Sequence, residues 1–401
     1  MKMNSWPQFE QITPSMITAL SASRQEPPWL SDFRLKAFER LNVAAVAPFW
    51  PSTAPIGFSI PPNRQEIAEY HQHPDEADLV YQRLSQTLSD SGIIYGDFYE
   101  VLQKYPDIIR QYLGSIITIQ DSPLSALNSA FFTGGMVVYI PDHVHCQVPL
   151  SYFRAFANPG QIERQLIILG TGASAEFVEG RPSLDYAPHH IMLTEVILSE
   201  SSSLKYTAIK NWDSHVNTWV KKRTRCAQGA HVTWVEGHFG GQSTREWTEV
   251  ILTGDHAHCD IVSYLYSATP QNISYVPRII HDAPHSSSCL TVHGVATGDL
   301  QIIGEHDVLP HAQGVTIQRD LLALQSLSAH VSLSNPSIIA EPDAEITGND
   351  FVIQSWNPLE AYENGRALEI AHAFLAHLPM EFAIEAQRLI HQKSHQEIPG
   401  R

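Results

Sequence analysis

The sequence predicts a mainly β protein with helical ends, and three observations carry that prediction. From about Ala130 to Ile346 the helical period disappears. In its place, short alternating or apolar runs recur between Gly, Asn, Asp, Ser and Pro. From Pro358 the helical period returns. The expected division is a helical and irregular region over 1–129, a β core over 130–346 and a helical domain over 347–401.

In the first region, Pro14-Ser-Met-Ile17 opens a short helix, because proline is well placed in a first turn. Ser31–Leu41 sets Phe33, Ala37, Phe38 and Leu41 on one stripe, which predicts an amphipathic helix. Pro48, Pro51, Pro55, Pro61 and Pro62 force an extended stretch. Tyr99–Leu113 is helical again and is interrupted at Pro106. In the β core, Val137–Ile140, Gln165–Leu169, Ser203–Ile209, His231–Glu236 and Asp260–Leu265 read as strands by composition and by period two. A sandwich, a barrel or a β-solenoid fits this pattern; no strict fixed-period repeat is visible. In the last region, Leu368, Ala371, Phe374 and Leu375 form one stripe. Phe382, Ile384, Ala386, Leu389 and Ile390 support a second helix after Pro379. This pair packs either on the β core or on a partner.

Composition excludes several classes. With 25 Lys+Arg against 42 Asp+Glu, the chain carries −17 at pH 7. That charge argues against nucleic acid and against an anionic membrane surface. Four separated cysteines without a CxxC fit a reducing compartment. Met1–Leu20 has no apolar h-region, and no run is long enough to span a bilayer, so a cytoplasmic chain is expected. The GxGxxG, P-loop and GxSxG patterns are absent, and Gly170-Thr-Gly172 is accounted for by a β-turn. Glu176, Glu179, Asp185, Glu195 and Glu236 supply carboxylates for a carbohydrate enzyme, but strand-surface acids are expected at this charge.

A family resemblance runs through the motifs. Tyr105-Pro-Asp-Ile-Ile-Arg-Gln-Tyr-Leu-Gly114, Leu127-Asn-Ser-Ala-Phe-Phe132, Val138-Tyr-Ile-Pro141, Tyr152-Phe-Arg154, Gly160-Gln-Ile-Glu-Arg164, Val178-Glu-Gly180, Lys210-Asn-Trp212, Val220-Lys-Lys-Arg223, Ala283-Pro-His-Ser-Ser-Ser288 and Leu378-Pro-Met-Glu-Phe-Ala383 occur in order. Together they resemble the SufB/SufD family of iron–sulfur cluster assembly, from about Pro14 to Ile390. Glu26–Ala37 is similar to SufB in particular. The resemblance implies a right-handed parallel β-helix core flanked by N-terminal and C-terminal helical regions. It also implies a SufC-type ABC ATPase bound by the C-terminal domain, and a SufD-like or self partner at the end of the β-helix.

The departures from that family are chemical. The position of the sulfur-accepting cysteine is Arg181, and the second essential cysteine is Arg319 in Ile317-Gln-Arg-Asp320. A Glu-His-Glu segment matches Gly348-Asn-Asp350, which leaves Asp350 as its carboxylate. A guanidinium has no lone pair for persulfide chemistry or Fe²⁺ ligation. Of the family's sulfur path, the resemblance assigns tunnel-lining positions to Arg154, Trp212 and Lys222, with Phe156 replacing an Asn and Lys210 a Gln. The competing reading places Lys222 in a solvated basic run, Lys221-Lys222-Arg223 with Arg225.

Two segments share the pattern D-H-x-H-C: Asp142–Cys146 and Asp255–Cys259. On a strand, His143 and His145 share a face opposite Cys146, as do His256 and His258 opposite Cys259. Two such strands can build a four-imidazole metal site for Fe²⁺ or Zn²⁺; the alternative is ordinary histidines at strand ends, among 21. Cys226 lies beside Arg223 and Arg225, which favour a thiolate; an inert half-buried cysteine is the alternative, and Cys289 reads as core.

Three functions follow. The first is a SufB-like component of an iron–sulfur assembly complex, a degenerate scaffold or structural subunit and not a catalyst, with an iron–sulfur cluster or Fe²⁺ as cargo, or none. The second is a SufB-derived metalloenzyme using histidines. The third is a cofactor-free β-helix interaction module.

Overall fold

Short strands joined by tight turns either fold back antiparallel or wind onward in parallel, and here they wind. The computed structural model describes residues 12–41, 46, 88–153, 161–182, 189–325, 329–334, 338–339 and 344–355. Two parallel sheets face each other and the chain alternates between them, so the core is a β-solenoid. The first sheet runs Met136–Ile140, Gln161–Leu169, His189–Leu198, Asn217–Cys226, Ser243–Leu252, Asn272–His281, Asp299–Ile303 and His330–Ser334, with Glu305–Val308 and Ile338–Ile339 beside its last strands. The second runs Leu150–Phe153, Ser174–Pro182, Ser203–Trp212, His231–Gly240, His258–Ser267, Ser287–Ala296, Thr316–Gln325 and Glu345–Ser355. The strands therefore continue past 346, the boundary expected from the sequence.

The turn from the first sheet to the second sets the winding. At the same place in seven coils the backbone takes a left-handed conformation, at His143, Gly172, Ser201, Gly229, His256, His285 and Gly314, with φ between 53° and 64°. These residues are 27 to 29 positions apart, so a near-regular repeat does exist. It escapes a search for a fixed period because the spacing drifts and because glycine, serine and histidine all fill the position. The turns are hydrogen-bonded to one another like the strands. His143 N–H donates to Thr171 O at 2.7 Å, Gly172 to Glu200 at 2.8 Å, Ser201 to Gln228 at 2.8 Å, and His285 to Gln313 at 2.7 Å.

In-register stacking places like beside like. In the second sheet Phe177, Tyr206, Trp234, Ile261 and Leu290 form one inward row. The Phe177–Tyr206 and Tyr206–Trp234 ring centroids are 5.0 and 4.3 Å apart. Arg319 is the next rung of that row and is itself buried.

Helices cover the outer face of the first sheet's opening coils. They are α1 (Pro14–Ser23), α2 (Pro28–Glu39), α3 (Phe98–Lys104), α4 (Pro106–Tyr112) and α5 (Pro123–Phe131). The break expected at Pro106 separates α3 from α4, and the α2 stripe packs as read, with Ala37 buried and Phe33, Phe38 and Leu41 against the same cluster. Because of this cover, Gln161–Leu169 is buried on both faces, whereas Asn272–His281 alternates. Buried ion pairs fix the cover. Arg34 makes a bidentate pair with Glu26, each bond 2.8 Å, and lies over the Phe132 ring. Arg164 pairs with Glu195 at 2.6 Å, and Glu195 also accepts the backbone N–H groups of Gly114, Ile116 and Ile117. Strand Ile94–Asp97 lies antiparallel on Met136–Ile140 and ends the parallel stack on that side. No described helix is long and apolar enough to cross a membrane. The helical pair expected beyond Pro358 lies outside the described residues.

The turn stack makes a direct prediction. A Cβ on Gly172 demands a left-handed side chain 2.8 Å from His143 Nδ1. Gly172→Ala should therefore cost about 1–2 kcal/mol. Gly254→Ala should cost more, because its Cβ meets the Gln228 backbone nitrogen at 1.9 Å, where no rotamer can relieve it. Melting curves of both variants check the order.

Candidate functional site

The interior of a two-sheet solenoid should be apolar, because nothing inside replaces water around a charge. Along the edge next to the stacked turns it is, as far as the coil of Leu252 and Cys259. Leu198, Cys226 and Leu252 face Leu204, Val232 and Cys259 there. One coil further on, buried His281 and Ser288 take those rungs. Towards the other edge, in the early and middle coils, the interior is charged. Lys210, Lys222, Glu179, Glu236, His238 and Glu246 are all buried, at 2% exposure or less.

Strand parity places each of them. In Asn217–Cys226, Lys222 shares the inward face with Val220, Thr224 and Cys226, while Lys221, Arg223 and Arg225 face out. The basic run is therefore not one solvated edge. Lys221 and Arg223 pair with Asp121 of the helical cover, whereas Lys222 enters the core. Glu179 and Glu236 share parity with Phe177 and Trp234, which makes them interior residues and not surface acids. Glu195 anchors the helices; Glu176 pairs at the surface with Lys205; Asp185 lies outside the described residues.

The charged interior groups pair with one another, while both ring nitrogens of His238 and Gln165 Nε2 lack a hydrogen-bond partner among the described residues. Lys222 bonds Glu236 and lies 2.9 Å from Glu246, while Lys210 bonds Glu246 from the facing sheet. Glu236 also accepts from Thr248 Oγ1 at 3.1 Å and from Tyr275 Oη at 2.7 Å, and Tyr275 Oη lies 2.7 Å from Ser263 Oγ. Lys222 Nζ sits 4.9 Å from the Trp234 ring centre. Towards the covered end, Tyr206 Oη bonds Glu179 and donates to Gln165 at 3.0 Å, and Gln165 accepts from Thr194 at 3.1 Å. Beyond that, Glu163 accepts from Tyr152 at 3.1 Å and Gln161 at 3.0 Å and faces His190 at 3.3 Å. At ~4.8 Å per coil, this polar file runs about 19 Å along the axis from Glu163 to Tyr275.

Its electrostatics follow from burial and pairing. Burial alone depresses an ammonium, but Glu236 and Glu246 reverse this for Lys222 and hold its proton. For Lys210 burial prevails over Glu246, and the neighbouring Lys222 charge adds to it, so the amine lies below its ordinary value. Glu246 is desolvated too, yet Lys210 and Lys222 hold its carboxyl well below the usual range. Burial pushes His238 down to about 3, so it is neutral.

Two comparisons bear on this geometry. Residues 152–344 match a family model described as "SUF system FeS cluster assembly, SufBD core domain", and residues 76–151 match "SufBD protein N-terminal region". The chain belongs to the SufBD family. Relatives of similar length carry the name "Iron-sulfur cluster assembly SufBD family protein": one from Staphylococcus epidermidis, and others from Staphylococcus aureus and Staphylococcus haemolyticus. Each is 27% identical over 429 aligned positions, covering 94% of this chain and 92% of the relative.

In this SufBD protein the positions read from the sequence separate. Lys222 lies in the polar file, and Trp212 is buried on the same strand face as Lys210, its ring 5.0 Å from His190. Arg154 and Phe156 lie outside the described residues. The Arg181 backbone is in register with Lys210. Asp350 falls where the last strand slips register against Thr316–Gln325.

Two expectations are overturned. The four-imidazole site does not form. His143 and His256 are turn residues at positive φ and not strand residues, and they stand four coils apart, about 19 Å. His145 binds Ser174 Oγ and His258 binds Ser287 Oγ, each pair between neighbouring coils. Nor is Cys226 an activated thiol. Its arginine neighbours point the other way, and burial pushes the thiol far above its ordinary value. Sequence reasoning missed Glu246, His238, Tyr206 and Tyr275; parity with Trp234 and Val220 was the available signal.

Lys222→Met leaves Glu236 and Glu246 with one buried cation fewer and should cost about 3–5 kcal/mol. Adding Glu236→Gln should return part of that loss, read as non-additivity in denaturant unfolding.

Acid should unfold this SufBD protein through buried neutral histidines. Burial lowers His238 and His306 to about 3 and His281 to about 4, with Arg319 adding to the effect at His306. Unfolded histidine binds a proton below about pH 6.5. Stability is thus complete above that value and falls as pH drops towards 4, by on the order of 1 kcal/mol per pH unit for each histidine. Both His306 ring nitrogens lack a hydrogen-bond partner among the described residues, so His306→Leu should fold and flatten the melting-temperature profile between pH 6.5 and 5.

Proposed function

We propose that this chain is a structural subunit or degenerate scaffold of an iron–sulfur assembly complex, in the SufD-like role, and does not itself accept sulfur. The observation that carries the reading is the pair of arginines, Arg181 and Arg319, at the two positions where the resemblance requires thiolates. A guanidinium stays protonated and cannot attack a persulfide, whereas sulfur transfer begins with a thiolate. The interior thiols do not replace them, because burial raises both Cys226 and Cys259 far above the thiolate range. The described interior offers a cluster held as cargo no set of thiolates. In place of sulfur chemistry, Lys210, Lys222, Glu236 and Glu246 close the interior with ion pairs.

The same proposal assigns a SufC-type ABC ATPase to the segment 358–393, and a SufD-like or second identical chain to the far end of the solenoid. Support for the second contact comes from the last strand, where Ile346, Val352 and Ile353 are 42%, 38% and 46% exposed. A metalloenzyme built on His143, His145, His256 and His258 loses its support, since those side chains do not converge.

The test is reconstitution of the full chain with its ATPase partner, a cysteine desulfurase, cysteine and Fe²⁺, read by absorbance and acid-labile sulfide. The chain should co-purify with the ATPase, and by itself hold no stoichiometric cluster. Arg181→Cys with Arg319→Cys should raise the sulfide content. A stable stoichiometric cluster on the unaltered chain, lost in Cys226→Ser, would overturn the reading.

A further inference from the structure

Register brings a second set of metal-binding side chains together on the outer face of the second sheet, away from the polar file. His231 and His258 are direct neighbours across two parallel strands, and their rings meet edge to face with centroids 4.7 Å apart. Asp260 lies two residues beyond His258 on the same face and receives both imidazoles. His231 Nε2 is 2.9 Å from Asp260 Oδ2, and His258 Nε2 is 3.1 Å from Asp260 Oδ1. The three donor atoms lie within 4.8 Å of one another.

Three features distinguish this arrangement from a surface ion pair. Both imidazoles present Nε2 to the same carboxylate, one to each of its oxygens, and His231 Nε2 also lies 3.2 Å from Thr233 Oγ1. The Nδ1 of His258 is held by Ser287 Oγ at 2.7 Å, on the strand one coil further on. A hydrogen bond at the far nitrogen is how metal-ligating imidazoles are oriented. Lastly, all three residues sit in ten-residue parallel strands bonded on both sides, which fix the ligand positions before any ion arrives. With metal–nitrogen and metal–oxygen bonds of about 2.0–2.2 Å, tetrahedral ligand atoms stand about 3.3 Å apart. The two nitrogen–oxygen contacts need to open by only a few tenths of an ångström, and all three donor atoms start within 4.8 Å of one another.

The geometry points to a binding site for one divalent first-row transition cation, held by His231 Nε2, His258 Nε2 and Asp260. Two imidazoles and a carboxylate suit Zn²⁺, Fe²⁺ or Co²⁺, and they leave coordination positions open to water or to a further ligand. The side chains are 43%, 35% and 28% exposed, so an ion enters without unfolding the strand. Binding replaces the hydrogen bonds between the imidazoles and Asp260. Two other clusters serve less well. Glu236, His238 and Glu246 converge in the core, but two lysine ammoniums already bind those carboxylates. Asp255, His256 and His285 are turn residues in which His256 stands 3.8 Å from the carboxylate and stacks on His285 at 5.0 Å. The inference does not depend on the proposed assembly role, and its test uses no partner protein.

Titrating the full-length chain with Co²⁺ under reducing conditions reads the site directly. One equivalent should bind with visible d–d absorption and be displaced by Zn²⁺. His231→Gln with His258→Gln, and separately Asp260→Asn, should each lose that equivalent, weakening affinity beyond the roughly 10–100-fold that loss of an outer-shell partner costs. His256→Gln with His285→Gln should keep it. Unchanged circular dichroism in each variant ties the loss to ligation. No d–d band at hundred-micromolar Co²⁺, or a band that survives His231→Gln/His258→Gln, overturns the assignment.

Discussion

Seven described coils pass from one sheet to the other through a residue held at positive φ, and the stack of these residues decides what lies above what. Once the turns are in register, every side chain has its neighbours assigned one coil away. Parallel pairing then turns a row of sequence positions into a physical column. The aromatic row through Phe177, Tyr206 and Trp234, the charged file around Lys222, and the imidazole pair His231 and His258 are all such columns. None of them depends on side-chain attraction to find its place. The backbone delivers them, and side-chain chemistry settles what they do there.

That delivery explains how a solenoid tolerates charge in its interior. Removing an ammonium or a carboxylate from water is expensive, and only closely matched partners offset it. Here two lysines from facing sheets share Glu246, and Glu236 is further bonded by Thr248 and Tyr275. The apolar edge nearer the stacked turns supplies the burial that holds the coils together. In its early and middle coils the interior is thus divided into a greasy part beside the turns and a polar part at the other edge. Arginines stand at the two positions to which the family resemblance assigns thiolates, and among the described residues the lysines and glutamates of the polar part are bonded to one another.

Much of the architecture was legible. Loss of the helical period, the break at Pro106 and the buried stripe on α2 are local signals, and local structure obeyed them. The repeat was harder to see, because coils of 27 to 29 residues drift in phase and histidine or serine takes a position usually given to glycine. The site was half legible. Lys222 and Trp212 were marked only by resemblance, while period-two parity with Val220 and Trp234 would have sent Lys222 and Glu236 inward without it. The error over the two D-H-x-H-C segments came from treating them as strands. Each opens on a turn; His258 then starts a strand, whereas His145 makes only an isolated bridge to Ser174, and the histidine that pairs with His258 lies 27 residues upstream, at a distance that only the coil length reveals.

The antiparallel strand Ile94–Asp97 has a consequence for polymerisation. Parallel sheets with open edges at both ends template their own extension, which is how fibres grow. At the helical end, Ile94–Asp97 reverses the chain direction against the first sheet, and Tyr95 Oη donates to Ser151 O at 2.5 Å on the first strand of the second. A newcomer finds a strand of the wrong polarity and an occupied carbonyl. A parallel strand of a second molecule gains little on this four-residue edge, so the helical end is a poor place for a filament to grow.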